Sequence, residues 1–203
     1  MVTRPPSVRQ CLDYIKQYNM LDNIREHSFM VARVSAVIVD DLRRAGITRK
    51  PVADRDTVIA GALLHDIAKT KCIKDGGLHA EEGQLICNSL GYPEIGEIVA
   101  EHVILKTFAD KKYRQGSFGA KELVFYGDKR VRHDQIVSLP QRLDYIIGRY
   151  GNNDAVRENH IRVNFEKAVE FEDYLFRYLS FAPDDLKQLL ADSTVLKELN
   201  IRD

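Results

Sequence analysis

Along most of the chain, apolar residues recur at steps of three and four, the spacing of a helix with one face turned inward. The first such stretch follows Pro5-Pro6-Ser7, where Ser7 and Gln10 form a capping box, and runs to about residue 18. A second covers about 23 to 45, with Ile24, Val31, Val34 and Ile38 on one stripe and Gly46 as its stop. A third predicted helix spans about 54 to 69, and a fourth runs from near Leu78 to Leu90-Gly91. Pro93 then opens a fifth, to about residue 104. Between residues 105 and 119 the periodicity is poor, punctuated by Gly116 and Gly119. Helices resume over about 120 to 131, then from a second capping box, Ser138 and Gln141, to Gly151. Two more cover about 155 to 179 and 183 to 199. No window alternates with period two, so the pattern predicts an all-α bundle. The expected organisation is a domain over residues 1–150 and a C-terminal helical extension, 151–203, packed on it.

The informative residues are polar ones on the apolar stripes. His27 falls in line with Ile24, Val31 and Val34, and His102 with Ile95, Ile98 and Val99. Asp128 shares a face with Val124 and Val131, while His65 and Asp66 are embedded in the apolar run "GALLHDIAK". One inward histidine is ordinarily a core group satisfied by a hydrogen bond. Five inward ionisable groups are harder to satisfy, because each needs a partner in a low dielectric. A shared metal ion answers the burial of all five: imidazoles and carboxylates ligate Zn, Mn, Fe, Co or Ni, and the cation balances the negative charge. His79, at the start of the fourth helix after Gly76-Gly77, reads by position as either a solvent-facing residue or a further ligand. His133 and His160, in strongly charged surroundings, read as surface residues.

Bulk properties narrow the function classes. The 203 residues carry 30 basic and 30 acidic side chains, so no overall field draws nucleic acid or an acidic membrane surface. The three cysteines, Cys11, Cys72 and Cys87, form no CxxC pair and suggest neither a disulfide framework nor a thiolate zinc site. No apolar run approaches membrane-spanning length and the first ten residues carry no apolar signal region, so a cytoplasmic protein is expected. The aromatic residues of the last helices, Phe165, Phe171, Tyr174, Phe176 and Tyr178, are expected to pack over the bundle or to form a homodimer surface.

His27, His65-Asp66 and Asp128, in that order on a helical chain, resemble the HD-domain superfamily of metal-dependent phosphohydrolases. "REHS" sets His27 as that family sets its first ligand, and "LLHDIAK" is similar to its central motif. "YGDKRV" followed by "SLPQRLDYI" resembles its closing aspartate segment. "HAEEGQLICNSLGYPEIGEIVAEH" resembles the HDIG-type subgroup with two additional histidines, which here are His79 and His102. The resemblance covers roughly residues 20 to 150. It implies six ligands for two divalent ions, with Asp66 bridging, His27, His65 and Asp128 on one ion, and His79 and His102 on the other.

Two adjacent metals activate a water and neutralise a phosphate ester, so the activity the resemblance implies is hydrolysis of a phosphomonoester, phosphodiester or phosphoanhydride, with a nucleotide-like substrate expected. Asp66 and Lys69 are the expected catalytic residues, with Lys69 binding a phosphate oxygen or assisting proton transfer. Lys129 and Arg130, beside Asp128, are expected to reach substrate phosphate. The basic loop with Lys106, Lys111, Lys112 and Arg114 reads as solvated, with a grip on polyphosphate as the alternative. The same six ligands also resemble the superfamily's diiron oxygenases, and fewer ligands would resemble its mononuclear nucleotidases.

Overall fold

In the computed structural model, residues 4–45, 52–192 and 194–196 are described. The expected stop at Gly46 and the end of the last predicted helix, up to residue 199, lie outside them. Helix α1 (Val8–Gln17) begins where the Ser7 side chain accepts from the Gln10 amide and the Gln10 side chain accepts from the Ser7 amide. The long helix α2 (Asp22–Ala45) buries Ile24, Val31, Val34, Ile38 and Leu42. Helix α3 (Arg55–Leu64), capped by Asp54, is buried on every side from Thr57 to Leu64. It runs against α2 and forms the centre of the molecule.

The third predicted helix is shorter than its pattern. It stops at Leu64, the chain passes through a turn at residues 65–68, and a separate helix, α4 (Lys69–Asp75), follows. Neither Gly nor Pro marks this break. The turn is held by the Ile67 amide donating to the Leu64 carbonyl and the Lys69 amide to that of Asp66. Helices α5 (His79–Ser89) and α6 (Pro93–Glu101) form a hairpin, and α6 lies across α3 at Gly61. A Cβ at Gly61 would sit 2.8 Å from Ile98 Cγ2, so only glycine allows this approach.

After a short helix α7 (Asp110–Tyr113), α8 (Ala120–Lys129) packs on α2 and α3. Gly127 provides the close contact, since a Cβ there would meet Ser35 Oγ at 2.5 Å. A two-rung antiparallel hairpin, β1 (Val131–Arg132) with β2 (Gln135–Ile136), was not expected from the pattern; its strands are too short for period two to register. Helix α9 (Leu139–Tyr150) starts at the second capping box, Ser138 and Gln141. Helix α10 (Ala155–Leu175) ends earlier than predicted, and a 3-10 turn at Pro183–Asp185 leads into α11 (Leu186–Asp192).

The fold is therefore mostly helical, as the pattern predicts. The aromatic residues of α10 pack inward: Phe171 contacts the rings of Tyr113, Phe118 and Tyr126, and joins the same apolar core as α2 and α3. Among the described residues no helix is long and apolar enough to cross a membrane.

Candidate metal centre

Four elements deliver the five inward residues. His27 projects from the first turns of α2, and Asp128 from the end of α8. His65 is the C-cap of α3, with Asp66 in the turn beyond it, and His102 is the C-cap of α6. All five are buried, none more than 7% exposed. The close contacts at Gly61 and Gly127 bring the carrying helices together.

A helix end leaves carbonyls without partners, and here two histidines supply the donors. His65 Nδ1 lies 2.7 Å from the Ala62 carbonyl, and His102 Nδ1 lies 2.6 Å from that of Val99. His27 Nδ1 lies 3.0 Å from the carbonyl of His133. A carbonyl only accepts, so each Nδ1 carries the proton and donates, and each Nε2 is left to face inward. This is the arrangement by which backbone groups orient metal-binding imidazoles. His133 itself is exposed, as expected of its side chain, and so is His160. However, the left-handed backbone at His133 (φ 56°) belongs to the hairpin that offers its carbonyl to His27.

The inward atoms converge on Asp66. Its Oδ1 lies 3.3 Å from His79 Nε2 and 3.5 Å from His102 Nε2; its Oδ2 lies 3.4 Å from His65 Nε2. Two sets of ligand atoms each lie within 4.8 Å of one another: His27, His65 and Asp66 in one, Asp66, His79 and His102 in the other. Asp66 is common to both. Asp128 Oδ1 stands 3.0 Å from His27 Nε2. His79 is less covered than the rest, at 28% side-chain exposure, yet its Nε2 reaches to 3.2 Å from His102 Nε2.

These atoms suit a cation better than one another. His65 Nε2 and Asp66 Oδ1 are buried without a hydrogen-bond partner, a costly condition for polar atoms. Imidazole lone pairs are also set against carboxylate oxygens and against each other. Divalent ions ligated by histidine and carboxylate would satisfy all of them, so the donor set fits a metal site.

The cationic neighbours are fixed as well. Lys69 Nζ, half-buried at the start of α4, donates to Asp66 Oδ2 at 2.7 Å. Lys129, buried, donates to Asp128 Oδ2 at 2.8 Å and to the His102 carbonyl at 3.0 Å. Burial alone would raise the carboxyl pKa values of Asp66 and Asp128. Lys69 and His65 nevertheless hold Asp66 well below the usual carboxylate range, and Lys129, His27 and Arg142 do the same for Asp128. Burial lowers His27 and His102, and it pushes His79 down to about 4 despite the nearby Asp66. These three imidazoles are thus neutral near pH 7, the form that ligates a metal.

One expected substrate contact is revised. Arg130 points away from the centre: its guanidinium ties α8 to the segment before α9 and to the C-terminal part of the chain. It donates to Tyr126 Oη at 2.6 Å, Glu172 Oε2 at 2.9 Å and the carbonyls of Val137 and Pro183. Two residues beyond Asp128, it projects from the opposite side of the helix end. Lys129 is at the centre but is occupied with Asp128. In the basic loop, Lys106, Lys111, Lys112 and Arg114 are exposed, and Arg114 lies over the Tyr174 ring.

Sequence reasoning missed Arg142. It is 8% exposed, on α9, and its Nη2 donates to Asp128 Oδ1 at 3.2 Å. The signal was available: Leu139, Arg142 and Ile146 share one stripe of α9, which makes the arginine a charge on a partly apolar face.

Comparison with protein families matches the HD-domain model to residues 24–144, more than half of the chain, a span that contains all six histidine and aspartate positions above. No solved structure matches the chain. With the helical fold, the ordered histidine and aspartate positions and the converging imidazoles already in view, the match settles the family: the chain belongs to the HD-domain family.

Proposed function

We propose that this HD-domain protein is a phosphohydrolase with a dinuclear metal centre, acting on a phosphomonoester, phosphodiester or phosphoanhydride, nucleotides among the substrates. The observation that carries the reading is the placement of Asp66 within reach of two separate histidine pairs. His27 and His65, joined by Asp128, would hold one divalent ion; His79 and His102 would hold the second; Asp66 would bridge. When bound, such a pair of ions supplies a water of lowered pKa and neutralises phosphate charge.

The chain's own groups do the rest. The carbonyls of Ala62, Val99 and His133 fix the imidazole tautomers and directions. Lys69 orients the Asp66 carboxylate, and its part exposure leaves the ammonium able to meet a phosphate oxygen or to pass a proton to a leaving oxygen. Lys129 orients Asp128, which Arg142 also contacts. Leu63, Leu64, Ile67 and Val99, close in sequence to His65, Asp66 and His102, are buried with them, and such dry surroundings strengthen charge interactions.

The reading is tested by loading the purified protein with Mn, Fe, Zn, Co or Ni in turn and screening phosphomonoester, phosphodiester and nucleoside polyphosphate substrates for phosphate release. Metal-dependent release that disappears in Asp66→Asn is the expected result. Iron-dependent oxygen uptake with no phosphate release would overturn it in favour of an oxygenase.

A further inference from the structure

We propose that Arg142 is a binding residue for the substrate's terminal phosphate, which makes this site one for phosphomonoesters and phosphoanhydrides rather than internal diesters. The inference rests on the hydrolase reading above and narrows its substrate class.

Three observations carry it. First, Arg142 is over-provided for the role of holding Asp128. One nitrogen, Nη2, makes the contact to Asp128 Oδ1, while Nε is buried and has no hydrogen-bond partner. Asp128 is already held by Lys129, whose Nζ donates to its Oδ2 at 2.8 Å, so the guanidinium has more donors than this one contact uses. A guanidinium nine-tenths buried with an unmet N–H is costly unless something else accepts from it.

Second, the formal charge around the carboxylates is already unbalanced. Two anions, Asp66 and Asp128, stand against three cations, Lys69, Lys129 and Arg142, each within 3.2 Å of a carboxylate oxygen. Divalent ions at the histidines would add to the excess. A ligand that carries more than one negative charge, as a terminal phosphate does and an internal diester does not, compensates this excess more fully.

Third, the arginine is held in place by its surroundings. Its guanidinium lies 5.6 Å from the Tyr145 ring centroid, and Arg132 lies 4.7 Å from the same ring. His133 packs edge-on against that ring at 5.4 Å. The capping box at Ser138 and Gln141 sets the start of α9 one turn before Arg142. A planar guanidinium fixed in this way can offer paired N–H groups to phosphate oxygens. A terminal phosphate has three non-bridging oxygens, enough for metal ions and an arginine together; an internal diester has two.

The test measures binding of inorganic phosphate and of dimethyl phosphate to metal-loaded wild type, Arg142→Gln and Arg142→Lys, by calorimetry, with metal content and melting temperature taken on the same samples. The expected result is that wild type binds inorganic phosphate more tightly than dimethyl phosphate. Arg142→Gln weakens phosphate about tenfold or more with metal content unchanged, and leaves dimethyl phosphate within about twofold. Arg142→Lys, which keeps the charge but not the paired donors, falls between. Phosphate binding within twofold of wild type in both variants overturns the proposal. Loss of metal in step with loss of phosphate also overturns it, because Arg142 would then act only on Asp128. If Arg142→Gln does not fold, Arg142→Lys decides by the same criteria. Phosphate binding that depends on Arg142 in a protein that hydrolyses no ester would contradict the proposed function alone; hydrolysis indifferent to both variants would contradict this inference alone.

Discussion

His79 gives the sharpest link between the geometry and a solution measurement. Its Nε2 lies 3.3 Å from Asp66 and 3.2 Å from His102, and burial moves its pKa from the ordinary 6.5 to about 4. In metal-free protein the consequence has a definite sign. A depressed imidazole pKa means that the unfolded chain takes up its proton first as the pH falls. Stability linked to His79 is therefore complete above about pH 6.5 and is lost as the pH drops toward 4. The full shift corresponds to about 3 kcal/mol; with the side chain 28% exposed, solvent screening reduces this to about 1–2 kcal/mol. Replacing His79 by Gln removes the titrating group while keeping its polarity. Urea unfolding of chelator-treated wild type and His79→Gln at pH 7, 6, 5 and 4 measures the difference directly. The wild type is expected to lose about 1–2 kcal/mol more than the variant between pH 7 and pH 4. Parallel curves would refute the argument, since they would mean that His79 is not held among the buried histidines.

Arg130→Ala is expected to cost about 3 kcal/mol by removing the ion pair to Glu172 and releasing the C-terminal segment, while metal content stays unchanged. A rise in KM without loss of stability would instead return Arg130 to the substrate. Gly127→Val drives side-chain atoms into Ser35 and Val31, and is expected to lower stability by about 1–3 kcal/mol and to weaken metal retention by parting His27 from Asp128; equilibrium dialysis and thermal melts check both. Burial pushes the Cys11 and Cys87 thiols up to about 12, whereas Cys72 is only half-buried. Alkylation of the native protein at pH 8, read by peptide mass spectrometry, is therefore expected at Cys72 first, with Cys11 and Cys87 labelled only after unfolding.

Much of the fold was legible because its signals are local. The capping boxes at Ser7 and Ser138 lie in stretches of four residues, and each starts a helix where predicted. The inward positions of His27, His102 and Asp128 followed from helical spacing alone. The break at Leu64 was hidden, since His65 and Asp66 sit in a run as apolar as the helix before them. At the turn the His65 ring nitrogen closes the helix end on the Ala62 carbonyl, a local cap that an apolar run does not announce. Arg130 and Arg142 show the opposite errors. Adjacency to Asp128 in sequence pointed to Arg130, which faces Glu172. Arg142, fourteen residues further on, reaches Asp128 through the hairpin and the first turn of α9, a distance that periodicity cannot bridge.

The central claim is that Asp66 joins two metal positions, and the number of ions per chain tests it most directly. Protein reconstituted with Mn, Fe or Zn, freed of excess metal and analysed by plasma mass spectrometry is predicted to hold two ions per chain. One ion or fewer per chain, under conditions where the protein is folded and saturated, would contradict the account.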